Sequence, residues 1–121
     1  MTIEQARMKV ADSCVEAIVA ANQFEAAWSV LPGFGATVQR CGLLQALAFL
    51  QRPTVRQVGN IVSSRLGGHL REQGMIGGGN EELIQTVKQL SDASYMLATR
   101  EVIALSVWLK RAAQAKKAAR P

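Results

Sequence analysis

The last third of the chain constrains the fold more than any other stretch. Tyr95, Ala98, Val102, Leu105, Leu109 and Ala112 recur at alternating steps of three and four. At helical pitch they form one apolar stripe, which other helices must cover. The spacing predicts a helix from about Asp92 to about Ala115. Asp92 suits an N-cap, the Ala, Leu, Arg and Lys content favours a helical interior, and Lys110, Arg111, Lys116 and Lys117 lie where cations suit a helix C-terminus. Arg100, Ala104, Val107, Arg111 and Gln114 fall on the opposite side, which sets two guanidiniums roughly 16 Å apart along the axis. That face points away from the core and is either simply solvated or a contact surface for anions.

A chain of 121 residues is long enough for one hydrophobic core without metal or disulfide staples. Residues 1–121 read as a single helical domain with a basic tail over 116–121 that is free to fray. Hydrophobic residues make up 49% and aromatics 5%, with no sustained β-branched alternation. This predicts an all-α protein, a compact bundle of about five to six helices. The start carries Glu4, Asp12 and Glu16 without a basic leader, and no stretch approaches the length of uncharged apolar sequence that a membrane span needs. A cytoplasmic protein without membrane contact is expected. Cys14 and Cys41 have no second Cys or His at metal-ligand spacing and read as two buried thiols, so neither metal nor cofactor is expected.

Charge is unevenly placed. The net is +5, yet between Ala26 and Arg71 five basic residues (Arg40, Arg52, Arg56, Arg65, Arg71) occur with no acid, and five more follow Glu101 (Lys110, Arg111, Lys116, Lys117, Arg120), again with none. Two such tracts meeting in a folded bundle make a positive surface, whose natural partner is a polyanion such as RNA or DNA. A basic surface serving only solubility is the alternative.

In chain order, Thr2 to Gln5 fits a capping box, and Ile3, Val10, Cys14, Ala17, Ala21, Phe24 and Trp28 predict a first helix with one buried face along most of that length. Pro32, Gly33 and Gly35 predict a loop from about Leu31 to Gly35, in which Phe34 either packs down as a lid or stacks on a base. Residues from about Ala36 to Gln51 are apolar almost all round, predicting a central helix with Gly42 at a tight crossing in its interior. Thr54 to about Gln73 reads as a weaker helix that Gly59, Gly67 and Gly68 threaten to split. His69, the sole histidine, has no catalytic partner at a readable spacing and is structural or exposed. After Gly77, Gly78 and Gly79, Asn80 is a candidate cap for a short helix through Leu90. The glycine run is not a phosphate loop, because it lacks a preceding strand and a Lys with Ser/Thr, and Glu81 and Glu82 occupy the place of the anion.

Gly42-Leu43-Leu44-Gln45-Ala46-Leu47-Ala48-Phe49 and the stretch from Tyr95 to Arg111 together resemble the small helical subunit of type III-B (Cmr-type) CRISPR effector complexes. Within the second stretch, Tyr95, Ala98, Thr99, Arg100, Glu101, Ala104, Leu105, Trp108 and Leu109 stand where that family has its C-terminal signature. The middle, about Pro53 to Asn80, carries no such match. The resemblance implies a subunit without catalysis of its own, acting in antiviral defence. Its copies stack head to tail as an inner filament beside other subunits of the complex and help hold guide RNA and target RNA.

The signature also has physical content. Glu101 lies at the edge of the predicted core, so its carboxylate needs a partner, and an arginine from another helix or a neighbouring subunit is expected. Trp108 reads as core or subunit contact, or as a base-stacker. With Gly42, Tyr95 and Glu101, Trp108 makes up the structural signature. Arg40, Arg52, Arg56, Arg65, Arg100, Lys110 and Arg111 are the candidates for nucleic-acid phosphates, and no catalytic residues are assigned, since the sequence offers no acid, base and nucleophile set. The rival reading is a helical protein-interaction module without nucleic-acid contact.

Overall fold

The computed structural model describes residues 1–119; Arg120 and Pro121, the end of the basic tail, lie outside the described residues. The chain enters helix immediately. The Gln5 N–H donates to the Thr2 hydroxyl (3.1 Å) and the Thr2 N–H to the Gln5 side-chain oxygen (2.8 Å), completing the capping box that opens α1, Ile3–Ala20. Where the apolar repeat predicts continuation to Trp28, Asn22 turns left-handed (φ 58°) and the chain restarts as α2, Phe24–Trp28. A stripe written in sevens drifts around a straight helix. The core accordingly takes Ala11, Cys14, Val15 and Ile18 and leaves Ile3 and Ala21 exposed. The bend returns Phe24 to the core.

The expected loop at Leu31 to Gly35 is instead the first turn and more of α3, Leu31–Cys41. Pro32 sits where a helix needs no N–H from it, and Phe34 packs inward at 3% exposure. A Cβ on Gly35 would collide with the Ser106 hydroxyl, so the glycine admits the neighbouring helix. Gly42 does not lie inside a helix. With φ 91° it separates α3 from α4, Leu43–Phe49, a conformation costly for any residue with a side chain.

A 3-10 turn over Pro53–Val55 leads into α5, Arg56–Glu72, which runs unbroken through all its glycines. Gly59 is a contact point, because a Cβ there would overlap the Leu50 carbonyl. Asn80 does not cap the next helix. The short α6, Leu83–Lys88, starts later, with the Glu82 carbonyl accepting from the Gln85 and Thr86 N–H groups. The final helix, α7, covers Asp92–Ala119. Its cap is Ser91, whose hydroxyl accepts from the Ser94 N–H (3.3 Å), while Asp92 sits in the first turn.

Among the described residues there are seven α-helices and no strand, two of the helices being only five and six residues long. The bundle is assembled around α7. Ala98, Val102, Leu105 and Leu109 are fully buried, as their spacing predicts, with Tyr95 and Ala112 half-buried at the margins. On one side α1 runs parallel to α7, since Arg7 meets Glu101 and Glu16 meets Lys116. On the other side α3 runs antiparallel, Gly35 facing Ser106 and Gly42 facing Tyr95. Helix α5 closes over α1 and α7, and α4 packs against α3 and α6. Cys14 is buried and its thiol pushed up to about 12 by loss of solvent, only partly offset by Arg65. Cys41, expected to be buried, is exposed in the last turn of α3.

Candidate nucleic-acid interface

The outward face of α7 carries Arg100 and Arg111, both exposed, eleven residues apart and nearly in line at helical pitch. Lys110 is exposed a quarter turn away. Arg111 lies over the half-buried Trp108 ring, 5.2 Å from its centroid, which gives that guanidinium a fixed seat. Because α3 is antiparallel to α7, Arg40 in the last turn of α3 is brought toward the Arg100 end. Arg52 is placed toward the other end, beside the first turns of α3. Its Nε–H donates to the Phe49 carbonyl (3.1 Å), and its guanidinium lies 4.3 Å from the Phe49 ring centroid. Arg56 is exposed at the head of α5. Arg65 stands apart in a groove between α1 and α5 beside Lys9 and Ser13, with its Nε buried and unpartnered.

None of these seven residues has a carboxylate partner among the described residues. The C-terminal lysines differ. Lys116 bonds Glu16 (2.8 Å), and Lys117 lies 4.5 Å from the Trp28 ring centroid.

The signature residues meet in pairs that no local pattern reveals. The Tyr95 hydroxyl accepts the Leu44 N–H (3.1 Å), one of the donors left free where α4 begins after Gly42. Two signature segments far apart in sequence are thus joined at one bond. Glu101, 4% exposed, is held by Arg7 of α1 through two hydrogen bonds, from Nε to Oε2 and from Nη2 to Oε1, both 2.7 Å. The arginine expected from another helix is Arg7. The His69 Nε2, on α5, is also 2.7 Å from Glu101 Oε2, so one carboxylate ties three helices. Burial pushes the Glu101 carboxyl up, but the hydrogen bonds and charges of Arg7 and His69 outweigh it and hold it below the ordinary value. The Arg7 guanidinium is raised in turn, chiefly by its bond to Glu101.

Sequence reasoning gives Arg7 no role and leaves His69 between structural and exposed. The signal for His69 is its position beside Leu66 and Leu70 on the buried side of α5; for Arg7, 94 residues from Glu101, there is none. An ionised carboxylate with both oxygens engaged is a structural tie and not a proton donor. Among the described residues no three His, Cys, Asp or Glu side chains group as metal ligands, and no helix is long and apolar enough to cross a membrane.

A family model described as CRISPR-associated protein (Cas_Cmr5) matches residues 3–116. Among solved structures, the X-ray crystal structure of a CRISPR-associated Cmr5 family protein from Thermus thermophilus is similar, with a TM-score of 0.70 and 29% identity over 95% of this chain and 96% of that one. No curated protein sequence matches.

Proposed function

The chain belongs to the CRISPR-associated Cmr5 family, and on that premise we propose that it is the non-catalytic small subunit of a type III-B effector whose outer face helps hold guide RNA and target RNA. One observation carries the RNA part: Arg100 and Arg111 are exposed in line on the most deeply anchored helix, with no carboxylate of the described residues to neutralise them. Cations left free on a rigid helix contact a phosphate backbone without any cost of ordering the main chain and without base readout. Copies of the chain stack head to tail beside the other subunits in this reading, a heterologous contact that needs two different surfaces. The exposed Met8, Met96 and Leu97 at one end of the α1–α7 pair favour a contact there.

Co-purification of the tagged protein from its own cells, with mass spectrometry of partners and sequencing of bound RNA, tests the reading. Recovery of other effector subunits with short repeat-derived guide RNAs is expected. Unrelated proteins with no enriched RNA would instead favour a protein-interaction module. Within the recovered complex, reversing charge at Arg100 and Arg111 together should weaken RNA binding and reduce the slope of log affinity against log salt by about one to two. An unchanged slope removes both residues from the interface.

A further inference from the structure

Of the two aromatics that the sequence offers for base stacking, Phe34 is buried and Trp108 half-buried; Phe49 is exposed, at 41%. Phe49 ends α4, a helix whose Leu43, Ala46 and Leu47 are buried, and its ring is turned outward under the Arg52 guanidinium. The Arg52 Nε–H is fixed on the Phe49 carbonyl, so the pair is held in place before any ligand arrives. Beside it opens a groove of about 110 Å³. Phe34 lies along it, and a side chain added at Gly33 would meet no atom within 4 Å. The polar groups on its rim are the hydroxyls of Ser29 and Thr37. Each donates its proton inward, Ser29 to the Ala26 carbonyl (2.7 Å) and Thr37 to the Gly33 carbonyl (3.1 Å), which leaves oxygen lone pairs to accept from a ligand.

The surface thus combines a guanidinium plane seated on an exposed aromatic ring, guanidinium N–H groups without a partner among the described residues, hydroxyl acceptors and open space at Gly33. Every residue lining the groove also comes from the acid-free tract between Ala26 and Arg71. A folded duplex offers no exposed base face to such a surface, whereas an unpaired nucleotide offers a π-face, ring nitrogens and an exocyclic amine. We propose that the Phe49–Arg52 groove is a stacking site for one unpaired nucleobase of RNA. It deepens, and rests on, the RNA-holding reading above: the α7 cations contact backbone, and this groove takes a base that lies outside the pairing.

The test uses the full chain and two probes. In amide-resolved NMR, adenosine 5′-monophosphate should shift Gly33, Thr37, Phe49 and Arg52, and Phe49→Leu, which keeps an apolar side chain, should abolish those shifts. Ribose 5-phosphate should not produce them; equal shifts from it would overturn the base site in favour of a plain anion contact at Arg52. With adenine-rich single-stranded RNA, Phe49→Leu should weaken binding by about tenfold while leaving binding of double-stranded RNA unchanged, and Arg52→Gln, which also removes a cation, should weaken single-stranded binding by about tenfold and duplex binding by less. Single-stranded binding equal to wild type in both variants would overturn the base site and leave the backbone reading standing. Binding of neither RNA form by the wild-type chain, with no shifts from the nucleotide, would overturn both.

Discussion

Glu101→Gln isolates the contribution of the tie where α1, α5 and α7 meet. The substitution keeps shape and removes charge. Glu101 is 4% exposed and the His69 side chain 0%, so neither can turn to water, while Arg7 at 21% can do so in part. The Glu101 Oε1 receives Arg7 Nη2, and Oε2 faces both Arg7 Nε and His69 Nε2. Whichever way a glutamine amide is turned, its NH2 therefore confronts a donor. Removing one member of a buried pair costs about 3–5 kcal/mol, and the partial exposure of Arg7 brings the expectation to the low end, about 3 kcal/mol. With a urea dependence of about 2 kcal/mol per M, the unfolding midpoint followed by circular dichroism should fall by about 1.5 M. A drop under ~0.3 M would mean that the tie contributes no more than a surface salt bridge, and the reasoning would be wrong. Acid supplies an internal control. Because the folded-state carboxyl is depressed, its contribution is complete above the ordinary value of 4.5 and is lost as pH falls through the lower folded value. The gap between wild type and variant should close in that window.

Glycines at contact and non-contact positions of α5 should behave oppositely. Gly59→Ala drives a methyl into the Leu50 carbonyl and should destabilise by about 2 kcal/mol or more, whereas Gly68→Ala, which meets nothing, should stabilise by up to about 1 kcal/mol; thermal unfolding reads both. Tyr95→Phe removes the acceptor of the Leu44 N–H and should cost about 1 kcal/mol in the same assay, with no cost expected if the hydroxyl only faces water. A thiol reagent should label Cys41 at once in the native protein and Cys14 only on unfolding, since Cys14 is buried and its thiol is pushed up to about 12; equal rates would contradict the packing of α1.

What the sequence determined by itself was whatever depends on helical pitch and local chemistry. The buried stripe of α7, the capping box at Thr2 and Gln5, and the all-α class follow from spacing and side-chain type over a few residues. Glu101 is legible as a buried carboxylate in need of a cation for the same reason: its place on the wheel is a local fact. Tertiary structure decided the breaks and the partners. Gly42, Gly35 and Gly59 look alike in sequence, yet Gly42 takes a positive φ between two helices, while Gly35 and Gly59 make room for atoms contributed from elsewhere, the Ser106 hydroxyl and the Leu50 carbonyl. Pro32 and its glycines signal a loop, and packing against α7 made them helix. Arg7 and His69 reach Glu101 from 94 and 32 residues away. Phe49 reads as core in the sequence because its segment is apolar nearly all round, but a helix at the margin of a bundle has only one face to bury, and the other became surface.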